Sequence, residues 1–214
     1  MIEHVYRRAA AARGVDAVVV ATDDARVAAA VESFGGFARM TASTHRTGTD
    51  RLAEVATELS CEIVLNVQGD EPMIEPATID AVIEPMQYEQ WVDMSTACTP
   101  LADPADHDNP NVVKVVTNMQ GNAMYFSRSP IPHVRGARPN IYKHLGIYGY
   151  RREFLLEFAK LPQTPLEISE SLEQLRALEH GMNIRTVVTP FDSIGVDTPE
   201  DLERARHQMT ATRT

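Results

Sequence analysis

Positive charge is scarce in this sequence. Its 20 Lys and Arg are outnumbered by 30 Asp and Glu, giving a formal net charge of -10 over 214 residues. Nucleic acids and anionic membranes are bound by basic faces, so neither is expected as a partner. Cysteine is scarce too. Cys61 and Cys98 are the only two, each beside or inside an apolar stretch, and such a pair reads as reduced core thiols rather than a disulfide or a metal clip. No apolar run approaches the roughly 20 residues that span a bilayer. The opening MIEHVYRRAAAARG is too charged for a secretory signal or an anchor. A cytoplasmic protein is expected. There is no internal repeat and no low-complexity segment. The composition, 43% hydrophobic and 23% charged, is that of a globular chain able to bury a sizeable core.

Hydrophobic spacing predicts a helix over residues 2–13, with Ile2, Val5, Tyr6 and Ala9 on one face and Gly14 as its stop. DAVVVAT (16–22) reads as a buried strand. Asp23 or Asp24 then caps a helix, ARVAAAVESF, that ends at Gly35-Gly36. FARMT reads as a short strand. HRTGTDRLAEVATEL predicts a helix capped by Thr49, EIVLNVQ a strand, and PATIDAVIEPM a helix. Strands alternating with helices indicate a parallel sheet covered on both faces. In the second half VVKVVT and AMYFSR flank NMQGN as a hairpin. IYKHLGIYGY alternates, with His144, Gly146, Tyr148 and Tyr150 on one side and Leu145 and Ile147 on the other. A helix is expected from Thr164-Pro165 to about Gly181, then the strand NIRTVVT, the short apolar SIGV, and a final helix after Thr198-Pro199. A Pro/Asp-rich loop, TPLADPADHDNPN, separates the halves. The expected fold class is α/β: a Rossmann-like, mostly parallel sheet with an antiparallel extension.

NVQGDEP, residues 66–72, breaks a buried strand into glycine, two acids and a proline. Ligands of open parallel sheets sit beyond the carboxyl ends of the strands. Asp70 is at such an end, and Asp197 follows the apolar SIGV at another. Alone, Asp70 reads equally well as a turn residue before Pro72, and Asp197 as a second cap beside Thr198. Together they favour a site for a hard divalent cation, which takes oxygen ligands and shares them with phosphates.

NVQGDEP, HRTGTDRLAEV, AMYFSR, KHLGIYGYR, LEISESLEQLRALEHG and GVDTPEDLERAR resemble, in order and over almost the whole chain, segments of the 3-deoxy-manno-octulosonate cytidylyltransferase (CMP-Kdo synthetase) family. The resemblance implies a nucleotidyltransferase that joins the cytidylyl group of CTP to the sugar acid Kdo and releases pyrophosphate, with Mg²⁺, for lipopolysaccharide synthesis. It implies that Asp70 and Asp197 are the catalytic metal ligands. Thr47, Gly48, Arg51 and Gln68 would meet the nucleotide. Arg128, His144, Tyr148, Glu173 and Gln174 would meet the sugar acid. Arg135 falls near another family arginine, but PHVRG departs from the family's usual tryptophan-containing sequence. One domain over 1–214 is implied, with a nucleotide half (1–100), a sugar-acid and dimerisation half (101–192) and a metal-ligand loop and helix (193–214), acting as a homodimer. A cytidylyltransferase for another sugar acid, such as a nonulosonate, and a non-catalytic binding paralogue are the alternatives.

The family also opens with a strand and a loop like ARxxSxRLPGKPL, whose arginine and lysine grip the triphosphate. Met1-Ile2 matches the family just after that loop. The expectation is therefore a fragment or a mis-assigned start, with a central strand missing between DAVVVAT and EIVLNV.

Overall fold

The computed structural model describes residues 1–196 and 198–211. In its first half α1 (Ile2–Ala10) precedes β1 (Val20–Thr22), α2 (Ala25–Ser33), β2 (Ala38–Met40), α3 (Gly48–Thr57), β3 (Ile63–Val67), α4 (Pro76–Tyr88) and β4 (Met94–Pro100). The second half adds β5 (Lys114–Thr117), β6 (Ala123–Ser127), β7 (Tyr142–Arg151), α5 (Arg152–Phe158), α6 (Pro165–Glu170), α7 (Gln174–Glu179), β8 (Arg185–Val188) and α8 (Pro199–Ala211). None of the described helices is long and apolar enough to cross a membrane.

β1 and β2 pair in parallel as a two-stranded sheet. The other strands form a six-stranded sheet organised by β7. β4 runs antiparallel along one edge of β7, while β3 and β5 divide the other edge between them. β8 lies parallel to β4, and β6 closes the hairpin with β5. β3, β4, β5 and β8 therefore share one direction, as the α/β reading requires. The antiparallel extension does more than extend the sheet: β7 is inserted between β3 and β4, so most neighbouring pairs are antiparallel.

The alternation of β7 serves two cores. Tyr150, with Tyr148 beside it, packs among Phe126, Ala53 and Ala56 of α3, Leu155 and Phe158 of α5 and Leu175 of α7. Leu145 and Ile147 pack on the opposite side with Ala9 of α1 and Ile79, Val82 and Ile83 of α4. Each face buries a separate apolar cluster, which fixes the strand's register.

Several local expectations need correction. The 16–22 strand is paired only over Val20–Thr22. The cap of α3 is Thr47, whose side chain accepts the Asp50 amide at 3.2 Å, and not Thr49. The helix expected from 164 to 181 is two helices, broken where Ser171 turns left-handed at φ 52°. Residues 193–196 form a loop rather than a strand. β4 and α5 were not anticipated. Of the two thiols only Cys98 is in the core, its pKa pushed up to about 12 by burial, whereas Cys61 is exposed.

Candidate active site

The carboxyl ends of β3, β4 and β8 face the same side, and the fork between β3 and β5 opens there along β7. Gly146 lies in that fork. A Cβ on it would stand 3.7 Å from the Gln68 side chain and 3.8 Å from Glu71 Oε1, ordinary contact distances, so the acid loop passes close over β7 here. Residues 68–71 close a turn in which the Glu71 amide donates to the Gln68 carbonyl at 3.2 Å. Burial raises the pKa of the Glu71 carboxyl, opposed by its bond from Ser193 Oγ and reinforced by the charge of Asp70.

The loop before α8 is fastened to this turn. Val196 donates its amide to the Asp70 carbonyl at 2.9 Å. Lys143 of β7 holds the same loop through Asp192 Oδ1 at 2.8 Å and the Ser193 carbonyl at 2.9 Å. Asp197 itself lies outside the described residues, one position beyond Val196. Among the described residues no group of three or more His, Cys, Asp or Glu converges as a metal set. The donors that do gather, Asp70 and Glu71, are carboxylates, the chemistry a hard cation takes.

At the start of α3, Gly48 faces open space, with nothing within 4 Å of where a Cβ would be. Arg51 turns inward. It bonds the Thr41 hydroxyl and pairs with Asp23 at 3.0 Å, clamping the ends of β2 and β1. Three nucleotide candidates, Thr47, Gly48 and Arg51, are thus gathered at one end of α3, while Gln68 lies at the fork between β3 and β5.

The sugar-acid candidates form a second group. The His144 ring stacks edge-on to Phe126 at 5.0 Å and leans on Tyr148 at 5.4 Å. Its Nε2 lies 3.0 Å from Thr96 Oγ1. The Thr96 proton is directed at main-chain carbonyls, with Ile147 O at 2.7 Å, and a carbonyl can only accept. Nε2 of His144 therefore carries the ring proton, and Nδ1 is the acceptor. Burial depresses the His144 pKa to about 3, so the imidazole is neutral. Burial also raises the Tyr148 phenol, with Tyr150 and Glu173 adding to it. Glu173 opens α7 and accepts from Thr49 Oγ1 at 2.5 Å. Gln174 beside it is 3% exposed, and its Nε2 has no partner in the protein. Arg128 is partly committed: Nε donates to the Glu170 carbonyl at 2.8 Å and Nη1 to that of Pro110 at 3.1 Å.

Residues 1–184 match the family model described as cytidylyltransferase. The chain belongs to the cytidylyltransferase family. A 3-deoxy-manno-octulosonate cytidylyltransferase of Geobacter sulfurreducens is 53% identical, covering 98% of this chain and 88% of the relative. One from Solibacter usitatus is 52% identical over 99% and 84%. Among solved structures, a CMP:2-keto-3-deoxy-manno-octonic acid synthetase complexed with CTP superposes with a TM-score of 0.93 at 45% identity, covering 99% of this chain and 88% of the other. A 4-diphosphocytidyl-2C-methyl-D-erythritol synthase from Anaerococcus prevotii, at 14% identity and a TM-score of 0.63, shares the fold.

Sequence reasoning gave no role to Lys143, Ser193 or Thr96, and only that of a local cap to Thr49. Lys143 stood in the quoted KHLGIYGYR, but its partners lie 49 and 50 residues away, and no spacing rule reaches that far. Thr49 was read as a local cap because a threonine before a helix usually is one.

Proposed function

We propose that this cytidylyltransferase transfers the cytidylyl group of CTP to 3-deoxy-D-manno-octulosonate, giving CMP-Kdo and pyrophosphate. The observation that carries this reading is the near-full-length relationship to 3-deoxy-manno-octulosonate cytidylyltransferases. The sugar's anomeric hydroxyl attacks the α-phosphorus; a new P–O bond forms there as the bond to the β-phosphate oxygen breaks. Positioning and charge neutralisation carry such a reaction.

Asp70 and Asp197 would hold Mg²⁺. The ion, when bound, supplies positive charge against the triphosphate. The exposed first turn of α3 at Thr47 and Gly48 would receive the nucleotide, with Arg51 bracing the turn from below and Gln68 completing the pocket at the acid loop. The neutral His144 would accept a sugar hydroxyl proton at Nδ1, a hydrogen bond and no proton transfer. Tyr148, Glu173 and Gln174 would line the same pocket, with the unpartnered Gln174 amide offering a donor. Arg128 would meet the sugar carboxylate through Nη2, the guanidinium nitrogen outside its two carbonyl bonds. A homodimer built on the antiparallel extension is part of this proposal: β6 ends the sheet and leaves Met124 63% exposed.

Incubation of the chain with CTP, Kdo and Mg²⁺ tests the reading. Pyrophosphate release matched by CMP-Kdo in the mass spectrum is expected. Release with a nonulosonate but not with Kdo would refute the assigned sugar, and binding of both substrates without release would refute catalysis.

A further inference from the structure

Thr49 is 2% exposed and stands two residues past the Thr47 cap, yet its hydroxyl serves a distant partner. Oγ1 donates to Glu173 Oε2 at 2.5 Å across 124 residues of sequence. A hydroxyl has one proton and two lone pairs. The proton goes to the carboxylate, a charge-assisted bond stronger than a neutral one. This contact ties the first turn of α3 to the start of α7. There Gln174 is 3% exposed with an unpartnered Nε2, and a buried amide left open in the protein marks a place for a polar group from outside it.

We propose that Thr49 is a positioning residue for the sugar acid. Its hydroxyl holds the Glu173 carboxylate in the orientation that meets the sugar, so sugar affinity depends on the helix whose first turn faces the nucleotide. This rests on the function proposed above.

Calorimetric titration of the full chain with Kdo, and separately with CTP, tests it without requiring turnover. Thr49→Val is nearly isosteric and lacks the hydroxyl; Thr49→Ser keeps it. Thr49→Val should bind Kdo roughly tenfold more weakly, about the loss of one hydrogen bond to a charged group, with CTP affinity and melting temperature close to wild type. Thr49→Ser should bind Kdo almost as wild type does. In a Glu173→Gln background, Thr49→Val should add little further loss. Undiminished Kdo affinity in Thr49→Val overturns the proposal, and so does an equal loss for CTP and Kdo, a serine variant as weak as valine, or a further tenfold loss in the Glu173→Gln background. If the wild-type chain binds no Kdo, the proposed function falls, and this role with it.

Discussion

The amide of Val196 donates to the carbonyl of Asp70 at 2.9 Å, joining the turn after β3 to the loop that leads into α8. Two segments far apart in sequence are held as one rim, and Lys143 anchors that rim to β7. This backbone bond and the one from Ser193 Oγ to Glu71 make the joint between the two segments, so replacing the Asp70 side chain should leave the rim in place.

Asp70→Asn and Asp197→Asn are accordingly expected to fold normally and to lose Mg²⁺-dependent CMP-Kdo formation. Circular dichroism and pyrophosphate release at several Mg²⁺ concentrations check the two halves of the statement. Near-normal turnover at ordinary Mg²⁺ in either variant would remove that residue from the site.

Gly48 and Gly149 contrast a glycine proposed to face the nucleotide with one required by packing. A Cβ at Gly149 would meet Ser95 Oγ at 2.7 Å and Met86 Sδ at 2.9 Å, whereas at Gly48 it would meet nothing within 4 Å. Gly149→Ala should lose about 1–3 kcal/mol of stability by overpacking. Gly48→Ala should keep full stability and raise the KM for CTP. Urea denaturation and steady-state kinetics on both variants distinguish the two outcomes.

His144 makes stability depend on pH. Its folded pKa of about 3 lies below the ordinary value of 6.5. Between those values the unfolded chain binds the proton and the folded chain does not, so acid favours unfolding. Stability should fall by roughly 1.4 kcal/mol per pH unit from this residue as pH drops from about 6.5 toward 3. His144→Gln should flatten that part of the pH curve, with thermal melts across the range as the measurement. It should also weaken Kdo binding more than CTP binding.

Arg176 and Glu167 form an ion pair in which both side chains are 3% exposed, with Nε donating to Oε2 at 2.8 Å. Glu167 also accepts the Thr164 amide in the capping box of α6. Glu167→Gln should cost about 3–5 kcal/mol, because it leaves a guanidinium buried without its counter-charge. The double variant with Arg176→Met should lose less than the sum of the single losses, which a denaturant double-mutant cycle would reveal.

Much of this fold could be read from local pattern, because EIVLNVQ, the 112–128 hairpin and IYKHLGIYGY carry strand periodicity in their own residues. β4 escaped because MSTACTP mixes small polar and apolar residues: Met94, Ser95, Thr96, Ala97 and Cys98 are all fully buried with no apolar run to announce it. What suits it to the centre is neighbours on both edges, β7 and β8, which no local pattern records. The break at Ser171 is equally silent, since LEISESLEQLRALE reads as one continuous helix. In the candidate site, the motifs mark segments that the fold ties together. The contacts that organise them, Ser193 to Glu71 and Thr49 to Glu173, span 122 and 124 residues and depend on the finished sheet.

Because β7 sets the register of three other strands and divides two cores, its length cannot drift. One residue gained or lost between Tyr142 and Arg151 would turn Leu145 and Ile147 into the aromatic layer and His144 and Tyr148 out of it. Insertions in descendants of this gene should therefore collect at places such as the 118–122 hairpin turn, where Met119 is 96% exposed. Along β7 the spacing of residues constrains the fold as strictly as their identity.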